Sequence, residues 1–81
     1  MPDQAEAIFT APFERGVRVS TDRRTITHRA MAWSMQYTPA ELVRWLGFYE
    51  RMLARRDTPK YRADVEVLTK ARGLLAGEGL L

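Results

Sequence analysis

The fold turns on residues 16–37, GVRVSTDRRTITHRAMAWSMQY, and on the adjoining residues 38–56, TPAELVRWLGFYERMLARR. Val17 and Val19 alternate with Arg18 and Ser20; beyond the polar segment TDRR, Ile26, His28 and Ala30 alternate with Thr25, Thr27 and Arg29. Two period-2 runs rich in Val, Ile and Thr, parted by a short segment containing Asp, predict an antiparallel β-hairpin. One face carries Val17, Val19, Ile26 and His28 or Ala30. The other shows Arg18, Thr25, Thr27 and Arg29 to solvent or to a partner. An isolated hairpin is marginal in water, so this one needs something to pack on.

The support is the next element. Thr38, Pro39 and Glu41 form a Thr-x-x-Glu capping box with proline at the first helical position, and no further proline interrupts the chain as far as Arg56. Leu42, Leu46, Tyr49 and Leu53 fall on one line of this helix. Trp45, Phe48 and Met52 form a second line roughly 80–100° further round. The combined apolar arc is about twice what one hairpin covers. Arg44, Arg51 and Arg55 make a basic ridge on the far side. The same grammar recurs in DTPKY, with Asp57 or Thr58 as cap and Pro59 at the first position, which predicts a helix over residues 60–76. Its apolar residues are Tyr61, Val65, Leu68 and Leu75 on one line, with Val67, Ala71 and Leu74 beside it. GLLAGEGLL closes the sequence as a frayed tail with apolar anchors.

Upstream, residues 3–11 read as a short helix, with Asp3 and Glu6 at its start and Ala5, Ile8 and Phe9 on one side. Pro12 ends or kinks it. The alternative for AIFTAPFERGVRV is an extended segment with Pro12 on an edge. The expected fold is therefore α+β: two helices packed on a single antiparallel β-hairpin, with a further C-terminal helix or arm. Residues 1–56 form the helix–hairpin–helix unit and residues 57–81 the arm with its frayed tail.

With 81 residues the chain holds one domain, and a domain of this size removes only about 60–65% of its unfolded surface on folding. Hydrophobic residues make up 46% and charged residues 28%, an ordinary globular balance that argues against wholesale disorder. There is no cysteine, so neither disulfides nor thiolate metal sites staple the small core. No apolar run approaches the ~20 residues of a membrane span, and the acidic start MPDQAEAIF is unlike a secretory signal; the expectation is a soluble, intracellular product without a membrane role. Lys and Arg number 13 against 10 Asp and Glu, for a net charge of +3, which suits a basic face rather than a nucleic-acid arm.

Little in the sequence carries catalysis. His28 is the lone histidine, with no evident partner for nucleophilic or metal chemistry, and it reads as a strand residue at least partly buried. Asp22 is a turn residue bonding its own backbone. Asp64 and Glu66 lie two apart on a helix and point away from each other. The glycines are isolated or confined to the tail, so no phosphate loop is present. The expectation is a protein that is not an enzyme and has no cofactor and no metal site.

Two surfaces remain. The arginines on the hairpin and the helix ridge, Arg18, Arg29, Arg44, Arg51 and Arg55, either form part of an ordinary solvated shell or line a passage for DNA or an acidic protein surface. Trp45, Phe48 and Met52 are either covered by the third helix or offered to a partner, since large exposed apolar patches are uncommon on monomers.

The order of VRVSTDRRTITHRA and TPAELVRWLGFYERMLARR, preceded by a short helix, resembles the W-type head-completion, or head-to-tail joining, proteins of tailed bacteriophages. The residues that carry the resemblance are Val17, Val19, Asp22, Arg24, Ile26, Thr27, Ala40, Glu41 and Leu42, within residues 5–56. Arg23 stands where the family's turn glycine is usual, MAWSMQY lengthens the join between strand and helix, and Pro12 shortens the first helix. The resemblance implies an adaptor that binds the portal ring after DNA packaging, as a homo-oligomeric ring of about twelve copies. It also implies a docking site for the next connector or tail-completion protein, packaged DNA in the lumen, and a place in the neck of the virion after assembly in the host cytoplasm. On that reading Trp45, Phe48, Met52, Tyr61, Val65, Leu68, Leu74 and Leu75 serve the neighbour and portal contacts, and the five arginines face DNA or an acidic partner. The competing reading is a small DNA-binding regulator that lays its basic helix face on phosphates. A third is a toxin, antitoxin or antirepressor type of protein that binds one small partner through the apolar arc.

Overall fold

The computed structural model describes residues 5–81. Four strands run in sequence, β1 (Ala7–Ala11), β2 (Arg15–Val19), β3 (Ile26–Arg29) and β4 (Ser34–Tyr37), followed by helices α1 (Pro39–Arg55) and α2 (Pro59–Gly77). The strands form one antiparallel meander in the order β1-β2-β3-β4. The expected hairpin is its centre, pairing Val17 with His28 and Val19 with Ile26.

Two expectations are corrected here. The segment read as a first helix is strand β1, which pairs Phe9 with Val17 and Ala7 with Val19; residues 3 and 4 of that reading lie outside the described residues. The join MAWSMQY contains strand β4, which pairs Met35 with His28 and Tyr37 with Ile26. The fold is therefore a four-stranded antiparallel sheet followed by two helices packed on it, rather than a single hairpin with a helix before it. The physical reason lies in Ala7, Phe9 and Ala11. They alternate toward the helices while Ile8 and Thr10 face away, and an edge place on the sheet buries that alternate set, as a helix would not.

The turns explain why β1 is hard to read from the sequence. Phe13 and Glu14 close the β1–β2 loop with positive φ angles of 64° and 56°, the left-handed pair that such hairpins usually take from Asn and Gly. The β2–β3 turn is built from side chains. Asp22 Oδ1 accepts from Ser20 Oγ (2.6 Å) and from the Arg24 N–H (3.0 Å), bonds that hold its carboxyl below the usual range. Arg23 in this turn adopts the left-handed conformation, with φ of 62°.

Both helix starts form as the sequence predicts. Thr38 Oγ1 accepts from the Glu41 N–H (3.2 Å) while Glu41 Oε1 accepts from the Thr38 N–H (2.9 Å), and Thr58 Oγ1 accepts from the Tyr61 N–H (3.2 Å). Helix α2 lies along β2 and β1, and α1 packs mainly on α2 and touches β4 lightly. One core results, with Val17, Val19, Ile26 and Tyr37 from the sheet, Leu42, Leu46 and Tyr49 from α1, and Val67, Leu68, Ala71 and Leu75 from α2. Residues 57–77 are therefore a structural wall of the same core rather than an arm beside it.

Candidate functional site

Between sheet and helices sits a buried polar chain. His28 is fully enclosed, and Asp64 is 1% exposed. Asp64 Oδ1 accepts from His28 Nε2 (2.9 Å) and from Arg15 Nε (3.0 Å), and His28 Nδ1 lies 3.1 Å from the Tyr37 hydroxyl. A carboxylate oxygen only accepts, so Nε2 carries a proton, while Nδ1 faces the Tyr37 hydroxyl, which also lies 3.9 Å from Met35 Sδ. Among the described residues no buried side-chain nitrogen or oxygen lacks a partner. Rings enclose the imidazole, with Trp33 and Tyr49 edge-on at centroid distances of 4.9 and 5.5 Å.

This Asp–His–Tyr order has the form of a proton relay, but it ends on Tyr37, which is 3% exposed. Burial foremost, with the neighbouring Tyr49 and Asp64 adding to it, pushes the Tyr37 phenol well above its usual range. Burial likewise raises Tyr49 to about 12, with Asp64 adding to the shift. The arrangement keeps both phenols neutral and joins three strands to α2. Sequence reasoning missed it, although a signal was present: Asp64 stands four residues before Leu68 and eleven before Leu75, on the stripe that must face the core. A carboxylate there requires a buried partner.

A second polar clamp holds the end of α2. Arg23, 7% exposed, donates from Nε and Nη2 to the two carboxylate oxygens of Glu78 (2.9 and 3.2 Å), and from Nη1 to the carbonyls of Ala5 (2.8 Å) and Ser20 (3.2 Å). The Arg23 side chain thus ties the β2–β3 turn to the end of α2.

The outer surface carries the residues expected to make contacts. Trp45 stacks on Tyr37, with ring centroids 5.9 Å apart and planes at 26°, and is half-buried against the core. Phe48 meets Trp45 edge-on at 5.4 Å and is 39% exposed, and Trp33, just before β4, and Met35, within it, are each 38% exposed. An aromatic strip therefore runs from β4 onto α1, with Met52 partly buried on the same helix. Trp33 and Met35 were not among the expected contact residues because they fell in a segment read as a join. Tyr61, Val65 and Leu74 are partly buried against the core. Leu68 and Leu75 have no exposed surface, which corrects their assignment as interface anchors: α2 turns this line inward onto the sheet.

The arginines divide between two surfaces. Arg18 and Arg29 lie on the sheet face away from the helices, with Arg18 3.5 Å from Glu6. Gly16, Ile8, Thr10 and Met31 join them around a shallow groove of about 380 Å³. Arg44, Arg51 and Arg55 are exposed on α1 and have no ion-pair partner among the described residues. The sheet and the core separate the two sets, so they do not form one basic surface. No group of acidic, His or Cys residues suited to a metal ion occurs among the described residues, and none of their helices is long and apolar enough to cross a membrane.

Compared with known proteins, the chain matches no family model, no curated protein and no solved structure at a significant level.

Proposed function

We propose that this protein is a structural adaptor of the phage head-to-tail connector, which binds the portal ring as a ring of its own copies and presents a docking site for the next neck or tail protein. The observation that carries this reading is the aromatic strip of Trp33, Met35, Trp45 and Phe48. In it Trp33, Met35 and Phe48 stay 38–39% exposed around Trp45, which is half-buried against the core, and exposed aromatics are the usual anchors of protein contacts. Trp45 and Phe48 lie on the capped helix that carries part of the resemblance, while Trp33 and Met35 fall in MAWSMQY, the segment by which this chain departs from the family. Strand β1 stands in place of the family's first helix, so the reading depends on the hairpin and α1 alone.

Electron microscopy of the purified protein with portal rings from the same genome tests it. The expected result is a new ring of density at the narrow end of the portal, lost on Phe48→Arg with an unchanged circular dichroism spectrum. Bare portals at high protein concentration would overturn it. The second reading, a DNA-binding regulator, has the free ridge of Arg44, Arg51 and Arg55 in its favour. It requires duplex binding that weakens steeply with salt, with a slope reduced by about one for each arginine replaced.

A further inference from the structure

The backbone of β4 is an edge with unmet hydrogen-bonding capacity, and its geometry fixes what it accepts. In the β2–β3 hairpin the Ser20 N–H donates to the Thr25 carbonyl (3.0 Å), and in the β3–β4 hairpin the Ala30 N–H donates to the Trp33 carbonyl (2.8 Å). Bonding direction alternates along a strand, so both hairpins require Ile26 and His28 to exchange backbone bonds with Tyr37 and Met35. Ser34 and Gln36 then direct their N–H and C=O groups out of the sheet. Both residues are exposed.

Edge strands normally carry devices against pairing, such as charges, proline or a covering element. The β1 edge has them, in the Glu6–Arg18 ion pair near its start and Pro12 at its end. The β4 edge has none along residues 33–37, the nearest proline being Pro39 at the start of α1. No residue between Arg29 and Glu41 is charged, the strand holds no proline, and the exposed side chains of Trp33, Met35 and Phe48 lie beside it. We infer that two copies of this chain join through β4, antiparallel, about a two-fold axis at Met35, to make one continuous eight-stranded sheet.

The register follows from three constraints. Opposed residues must point to the same face, so the axis passes through a residue and not between two. An axis at Gln36 would set Ser34 against Thr38, whose N–H already donates to Glu41 Oε1 (2.9 Å). An axis at Ser34 would set Gln36 against Ala32, in the turn. An axis at Met35 pairs Ser34 with Gln36 of the second copy, and by symmetry Gln36 with Ser34, so every outward group finds a partner. On the helix face it brings Met35 against Met35 and Trp33 against Tyr37, apolar against apolar. The inference stands on strand geometry and goes beyond the connector reading, since it specifies a contact between copies that exists without a portal.

The test uses the full chain, which has no native cysteine. In this register the two Met35 residues form a non-hydrogen-bonded pair with Cα atoms about 4.5 Å apart, within disulfide range. The two Gln36 residues are offset along the strands to about 8 Å, beyond it. Under mild oxidation Met35→Cys should cross-link into a covalent dimer and Gln36→Cys should remain largely monomeric. By sedimentation the wild type should be dimeric at submillimolar concentration, and Gln36→Pro should be monomeric with unchanged circular dichroism, because the N–H it removes serves no bond inside the monomer. A monomeric wild type, equal cross-linking at the two positions, or a dimer that survives Gln36→Pro would overturn the inference. If Gln36→Pro fails to fold, the cysteine pair still decides. A monomer that nevertheless decorates portals would remove this inference and leave the connector reading standing; a dimer that ignores portals would do the reverse.

Discussion

Replacing Asp64 by alanine should come close to unfolding this domain. The carboxylate is 1% exposed, and its Oδ1 receives both the Arg15 guanidinium (3.0 Å) and the His28 imidazole (2.9 Å). Alanine leaves the enclosed His28 N–H without an acceptor and strands the Arg15 charge, whose side chain is only 12% exposed. Breaking a buried charge pair from one side costs about 3–5 kcal/mol. A chain of 81 residues has a total stability of about 4–12 kcal/mol, so the loss takes a large share. With a urea m-value of about 1 kcal/mol/M, the midpoint should fall by about 3–5 M. Urea unfolding followed by far-ultraviolet circular dichroism and tryptophan fluorescence reads it directly. Asp64→Asn keeps an acceptor oxygen and should lose less. Adding Arg15→Met to Asp64→Leu should recover part of the loss of Asp64→Leu alone, since the stranded charge is then gone. An Asp64→Ala midpoint within about 0.5 M of the wild type, at equal m-value, would refute the account of the buried chain.

Alkaline pH should destabilise the fold through its phenols. Unfolded tyrosines ionise near pH 10, while folded Tyr49 holds its proton to about 12 and Tyr37 holds its own beyond that. Above pH 10 the unfolded state therefore loses protons first, and stability should fall by about 1.4 kcal/mol per pH unit for each of the two residues. Melting temperatures across pH 9–12 check the slope. Thr38→Ala removes one half of the α1 capping box and should cost about 1 kcal/mol, visible as a lower urea midpoint. Gly73→Ala should stabilise by about 0.5–1 kcal/mol in the same assay, because nothing lies within 4 Å of the added methyl and alanine is the better helix former. Arg23→Gly relieves a left-handed residue yet removes the fork to Glu78 and two carbonyl bonds. The lost charged hydrogen bonds, about 1.5–3 kcal/mol each, outweigh a strain of about 1–2 kcal/mol, so the melting temperature should drop.

The legible parts of this fold were those in which local chemistry and hydrophobic period agree. Thr38, Pro39 and Glu41 announce α1, Thr58 and Pro59 announce α2, and the Val17/Val19 and Ile26/His28 alternation announces the central hairpin. Strand β1 was obscured because AEAIFTA is also acceptable helix chemistry and because Phe13 and Glu14 take a turn geometry that their side chains do not favour. Strand β4 was obscured because its face is mixed: Tyr37 is buried, while Met35 is left partly open by the light contact of α1 with the strand. The apolar arc of α1 was visible as an excess, and the structure divides it, with Trp45 against the sheet and Phe48 in solvent. The Asp64–His28 contact joins residues 36 positions apart, and no local pattern pairs a strand histidine with a helix aspartate.

The placement of α2 has a consequence for synthesis on the ribosome. The strands emerge first, but β1 and β2 receive their cover from a helix that begins only at Pro59. Until that helix leaves the exit tunnel, Phe9, Val17 and Val19 have no apolar wall to pack on, and a bare meander of this length holds together poorly. The nascent chain therefore exposes an unfinished sheet with an unprotected edge until α2 has been made and released from the tunnel, with synthesis running at roughly 5–20 residues per second. Productive folding waits for α2, which places the window for misassembly between neighbouring nascent chains in the interval before that helix can cover the sheet.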